Sequence, residues 1–241
     1  MSCVVYTCHH LADLAPGQTQ RGTIDIQAFR SQLDWFGRLG IRFIPMRQLH
    51  AWLTGDGALP RRAAVLTFDD AYDSVYEHAF PVLARRGIPF TVFVIAGLIG
   101  GVSHFYAGRG GQPRRHLDDR QLISMIESGL VEVGAHGYHH LDLTSARGAA
   151  LAKELAEAKI HLEDTFKVKI PYLAYPYGNV NETVKQQARH AGYQLAFTTV
   201  KSKLVSSNVD RLALPRVNWG RRAGLLKLGK YYLIPWLRSA G

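Results

Sequence analysis

Cysteine is nearly absent from this 241-residue chain, which has only Cys3 and Cys8. They sit five apart among Val4, Val5, Tyr6 and Thr7, a pattern that suits a buried strand rather than a disulfide framework or a thiolate metal knuckle. Long apolar runs are missing too: no window reaches the ~20 residues that a membrane helix needs. The opening residues, Met1 to Tyr6, show no basic stretch followed by an apolar core, so no secretory leader is expected and the expected location is cytoplasmic. Acidic residues are scarce at one end. Residues 201–241 hold nine Lys and Arg against the single acid Asp210, a local charge of +8, whereas the other 200 residues carry only +2 of the overall +10. Charge confined to a tail, with no recognition motif beside it, argues against a nucleic-acid partner. Repeats and linkers are also lacking, so the expectation is one domain over residues 1–220 and a basic amphipathic tail over 221–241.

What the chain does contain is alternation. Apolar, strand-like runs at 4–7, 41–44, 63–68, 90–95, 131–134, 172–175 and 195–199 are separated by helical patterns at 26–40, from 45 onwards, and at 74–86, 118–127, 147–165 and 181–190. Strands alternating with helices imply an α/β protein with a parallel sheet or barrel in one domain. A loop is expected after His9-His10. The Gly-rich, basic stretch 97–115 is too long for a simple connection and reads either as a binding loop or lid, or as a surface insertion.

The chemistry concentrates where Val65-Leu66-Thr67-Phe68 runs into Asp69-Asp70. A strand buried on both faces ends there in two carboxylates, which must be hydrogen-bonded, ion-paired or metal-bound. His136 and His140, four apart in Gly134-Ala135-His136-Gly137-Tyr138-His139-His140, are the best partners. Two imidazoles and one carboxylate suit zinc or a similar divalent cation with an open position for water or substrate. The other carboxylate is then free to take a proton from that water, which describes metal-assisted hydrolysis.

Thr67-Phe68-Asp69-Asp70 followed by His136-x-x-x-His140 resembles the first two motifs of the polysaccharide deacetylases, the NodB-homology domain of carbohydrate esterase family 4. The resemblance covers about residues 62–200 and implies a distorted (β/α) barrel that removes N-acetyl, sometimes O-acetyl, groups from sugars. It implies Asp69 as general base and Asp70, His136 and His140 as ligands of a divalent metal, Zn2+ first, with iron, cobalt or nickel as alternatives. Ala174-Tyr175-Pro176-Tyr177-Gly178 resembles the third motif, with Ala174 in the place of its arginine. The Tyr177 backbone N–H is then expected to hold the oxyanion, and Tyr175 and Pro176 to lie at the substrate.

The family's late Leu-x-His has no match here. Cys8-His9-His10-Leu11 instead resembles the early Tyr-His-x-Val/Ile of a permuted, exopolysaccharide-deacetylase-like branch, which makes His9 the expected general acid and His10 its alternative. Arg216-Val217-Asn218-Trp219 resembles the segment that closes the barrel in that branch, placing Arg216 at the substrate, where it could also replace the charge that Ala174 lacks. His139 is read as a neighbour of the site and Asp142 as a turn residue. The implied substrate is an acetylated amino sugar in a glycan or in a lipid- or nucleotide-linked precursor. The alternatives are an O-acetyl esterase and a catalytically silent sugar- or metal-binding member. In the tail, Leu225, Tyr231, Tyr232 and Trp236 interleave with Lys227, Lys230 and Arg238, a composition that suits peripheral contact with an anionic inner-membrane face, or else a packed helix with a solvated basic side.

Overall fold

The structure is a computed structural model that describes residues 3–105, 112–199 and 205–219. Its centre is one eight-stranded sheet built from β1 (Cys3–Cys8), β2 (Arg42–Phe43), β3 (Ala63–Phe68), β4 (Phe90–Val94), β5 (Val131–Ala135), β6 (Tyr172–Ala174), β7 (Leu195–Phe197) and β8 (Val217–Asn218). The order is β7-β6-β5-β4-β3-β1-β8, with β2 also on β3, and every pairing is parallel. Residues 214–218 close the curl. Leu214 bridges Phe197 at one end of the sheet, and Val217 pairs with Tyr6 at the other.

Around the sheet lie α1 (Ile26–Arg38), α2 (Met46–Thr54), α3 (Phe80–Arg85), α4 (Asp119–Glu127), α5 (Gly148–Ala152), α6 (Ala158–Phe166) and α7 (Glu182–His190). Wide turns of π geometry, Val75–Ala79 and Lys153–Glu157, lead into α3 and α6. The continuous apolar runs of the strands follow from burial on both faces. Val4, Tyr6, Cys8, Ala64, Leu66 and Phe68 pack with Phe29, Leu33 and Phe36 of α1, while Cys3, Val5, Ala63, Val65, Phe93 and Phe197 fill the barrel. Both thiols are free and buried. Trp219 locks the closing segment, its ring 5.4 Å from Tyr6 and 5.1 Å from Phe36.

Gly134 is required by the filling of the barrel. A Cβ there would lie 2.4 Å from Phe93 Cε1 and 3.0 Å from the Tyr172 carbonyl oxygen. Gly134→Ala is therefore expected to cost about 1–3 kcal/mol, seen as a lower urea midpoint with an unchanged slope.

Two segments read as loops carry short pairings. His10–Ala12 runs parallel to Thr23–Asp25, and within the Gly-rich stretch Val102–Ser103 pairs antiparallel with Arg114–Arg115. Strands of two or three residues are too short to show periodicity. The tail, residues 221–241, lies outside the described residues. Among the described residues no helix is long and apolar enough to cross a membrane.

Candidate active site

Because the strands are parallel, their C-terminal ends share one rim, where sites collect in such barrels. His9 follows β1, Asp69 and Asp70 follow β3, His136 follows β5 and Tyr175–Gly178 follow β6. The chain turns abruptly after the acids. Asp70 and Ala71 take left-handed backbone with φ of 68° and 55°, a conformation that costs a non-glycine residue about 1–2 kcal/mol. His116 Nδ1 meets the Asp70 carbonyl at 2.7 Å and the Leu117 N–H donates to the Ala71 carbonyl at 2.7 Å, which holds that turn in place. His140 and Tyr177 are left-handed as well, so strain gathers at this rim, as it does at functional sites.

The two acids have separate partners. Asp69 forms a bidentate pair with Arg216, Nη1 to Oδ1 at 2.6 Å and Nη2 to Oδ2 at 2.7 Å. Arg216 is fully buried, donates to the Thr198 carbonyl and to Thr67 Oγ1, and lies over the rings of Phe93 and Phe197. Burial alone would push the Asp69 pKa up, but the Arg216 charge and hydrogen bonds, with help from His136, hold it below the ordinary carboxylate value. The carboxylate stays ionised, and each oxygen keeps a further lone pair for a proton.

Asp70 instead faces the imidazoles. Its Oδ1 lies 3.5 Å from His136 Nε2 and 3.5 Å from His140 Nε2, and the three donor atoms all fall within 4.8 Å of one another. His136 Nδ1 is 2.7 Å from the Ala174 carbonyl, a contact that requires the N–H on Nδ1 and leaves the Nε2 lone pair for the cluster. Burial and the neighbouring His136 lower the His140 pKa to about 4, which keeps it in the neutral, ligating form. Burial opposes ionisation of Asp70, yet His136, His9 and His140 outweigh it and hold the carboxyl well below its ordinary range. Three ligand atoms that converge within 4.8 Å of one another fit a cation held among them.

A buried carboxylate that the sequence did not reveal supports the two histidines. Glu154, only 1% exposed, accepts the backbone N–H of Tyr138 and of His139 at 3.0 Å each, and meets His139 Nδ1 at 2.6 Å. It thus fixes the loop between both ligands. Glu154→Gln turns one acceptor into a donor against those N–H groups and is expected to weaken metal binding by about 10–100-fold, measured by competition with a chromogenic chelator.

The site opens into a cleft of about 390 Å³ lined by His9, Arg21, Phe105, Tyr177 and Thr199 beside the acids and imidazoles. Phe105 stacks on His140 at 4.7 Å, and Tyr177, 57% exposed, lies across it at 4.7 Å. His9 lines this space and His10 does not: His10 Nδ1 bonds Thr23 Oγ1 at 3.2 Å and its ring lies against Tyr72. The residues expected at the substrate fare differently. Tyr175 borders the cleft but donates its hydroxyl to the Leu212 carbonyl at 2.9 Å, and Pro176 is buried. Arg216 is buried behind Asp69, does not line the cleft, and turns its guanidinium to Asp69, Thr67 and Thr198. Asp142 turns the chain through Thr144 and Asn179, and His139 belongs to Glu154.

A cation triad at the open rim of a parallel barrel, with an ionised carboxylate held just beside it, is the equipment of a metal-assisted hydrolase. The chain belongs to the polysaccharide deacetylase family, whose profile matches residues 56–196. It is 30% identical to IcaB from Ammonifex degensii, with a TM-score of 0.77 over 91% of this chain and 92% of that one. The deacetylase PplD of Streptococcus pyogenes, solved in complex with acetate, shares the fold at a TM-score of 0.82 and 22% identity, over 96% of this chain and 98% of that one. A Staphylococcus aureus poly-beta-1,6-N-acetyl-D-glucosamine N-deacetylase is 27% identical over 197 residues, which are 78% of this chain and 65% of that protein. The chain thus spans less than two thirds of the length of such curated relatives.

Proposed function

We propose that this protein is a zinc-dependent N-deacetylase of an acetylated amino sugar, carried in a glycan or in a lipid- or nucleotide-linked precursor. The observation that carries this reading is the division of the acid pair, with Asp69 clamped by Arg216 and Asp70 facing His136 and His140. The Staphylococcus aureus relative is named for poly-beta-1,6-N-acetyl-D-glucosamine, which makes β-1,6-linked N-acetylglucosamine the first substrate to try.

Asp70, His136 and His140 would hold the metal. Zinc held there would lower the pKa of a water towards neutrality and polarise the amide carbonyl. Asp69 is placed to take a proton from the attacking water. The Tyr177 backbone N–H donates to the developing oxyanion, an interaction worth about 2–4 kcal/mol in the transition state. His9 gives a proton to the departing amine nitrogen, and the rings of Phe105 and Tyr177 border the space left for the sugar.

Acetate release from β-1,6-linked N-acetylglucosamine oligomers tests the reading. Stripping the metal with a chelator should abolish release and zinc should restore it; equal release without metal, or release from O-acetylated sugars only, contradicts it. Within the same assay His9→Ala is expected to lower kcat by about 10²–10⁴-fold, with His10→Ala close to the wild type. The reverse ranking would move the acid to His10.

A further inference from the structure

A second cavity, of about 720 Å³, has no part in this chemistry. It lies at the opposite end of the barrel, by the N-terminal ends of the strands. Gln194, which immediately precedes β7, lines it, and His50 in its wall packs edge-on against Tyr172 at the start of β6, with ring centroids 5.9 Å apart. Three separate elements each bring one arginine to it: Arg47 from α2, Arg189 from the last turn of α7, and Arg211 from the turn before the closing segment.

Their charges are unequally committed. Arg47 lies 3.6 Å from Glu132, whose carboxylate also takes the N–H groups of Met46 and Arg47. Two acids also line the wall, Asp56 and Asp210, and Asp210 is occupied by Lys185 at 2.7 Å and by the Leu212 N–H at 2.9 Å. Among the described residues, neither Arg189 nor Arg211 forms an ion pair. Arg211 is also presented by a fixed turn, since its carbonyl accepts the Ala196 N–H at 2.8 Å and the Asp210 carbonyl accepts that of Ala213 at 3.0 Å. Burial and the Arg211 charge hold His50 below its ordinary pKa, so it faces the cavity as a neutral ring.

We propose that this cavity is a second binding site, for a soluble phosphate-bearing small molecule held between the guanidinium groups of Arg189 and Arg211. Guanidinium forks match phosphate oxygens two at a time, and the planar fork is itself pre-organised for them. A volume of about 720 Å³ leaves room for an organic portion beside the phosphate. The chain's own tail is a poor occupant, because residues 221–241 hold five Lys and Arg and no acid.

Calorimetric titration of the full chain with inorganic pyrophosphate tests the site. Saturable binding is expected, with a higher melting midpoint as ligand is added, and weakening of about tenfold or more in Arg189→Ala/Arg211→Ala. An exposed control pair on other helices, Arg38→Ala/Arg85→Ala, should bind as the wild type does. Acetate release by the Arg189→Ala/Arg211→Ala variant should remain at the wild-type level, which also shows that the variant is folded. No saturable heat from the wild type overturns the proposal. So does unchanged binding in the cavity variant, or an equal loss in the control pair, which would mark an adventitious ion only.

Discussion

Asp69→Asn is expected to cut acetate release by about 10³-fold through kcat, with KM little changed, as befits the loss of a general base that contributes 10²–10⁴-fold. The amide fills the same space and still offers Arg216 one oxygen, but it cannot take a proton from water. The metal triad does not depend on it, because Asp70, His136 and His140 converge without Asp69. Steady-state kinetics on N-acetylglucosamine oligomers checks this. A variant that kept kcat within a few-fold of the wild type would remove Asp69 from the chemistry.

Arg216→Met should have the largest effect on stability, about 3–5 kcal/mol, because it leaves the buried Asp69 carboxylate without its partner. The sign with pH follows from linkage. In the wild type the folded Asp69 pKa lies below its ordinary value of 3.8, so its stabilising contribution is complete above that value and is lost as pH falls through the lower folded pKa. In the variant, burial is opposed only by the smaller effects of His136 and His9 and raises the folded pKa, so a penalty appears as pH rises above about 4. The stability gap should therefore be widest near neutral pH and narrow towards pH 4 in paired urea melts. Arg216→Lys keeps the charge but loses the second N–H of the fork, and should recover only part of the difference. A gap of equal size at both pH values would mean that the loss is one of packing against Phe93 and Phe197 rather than of charge.

The parts of this site that were legible in the sequence are those that share one strand end or one tight loop. Asp69 and Asp70 end a continuous apolar run, and His136 and His140 sit four apart after another, so local pattern and residue chemistry suffice to find them. Arg216 is legible only through a resemblance, which offers it both as a substrate residue and as the charge that Ala174 lacks. Its partner lies 147 positions away, and closure of the barrel by residues 214–218 is what brings the two together. Glu154 was hidden for a different reason. In a segment rich in Ala, Leu, Glu and Lys, a glutamate that turns inward towards a loop looks like any solvated one. The turn at Asp70 and Ala71 left no mark either, since its left-handed backbone is carried by two residues that are not glycine and is held by His116, far along the chain. The parallel α/β architecture itself was plain in the alternation of strands and helices, whereas the two- and three-residue pairings beside the cleft are set by tertiary contacts.

The division of labour between the two neighbouring acids is tested most directly by zinc content after equilibrium dialysis, with Asp69→Asn and Asp70→Asn compared side by side. Asp69→Asn should retain zinc as the wild type does, and Asp70→Asn should lose it. Zinc retained by Asp70→Asn, or lost from Asp69→Asn while the protein remains folded, would contradict the assignment.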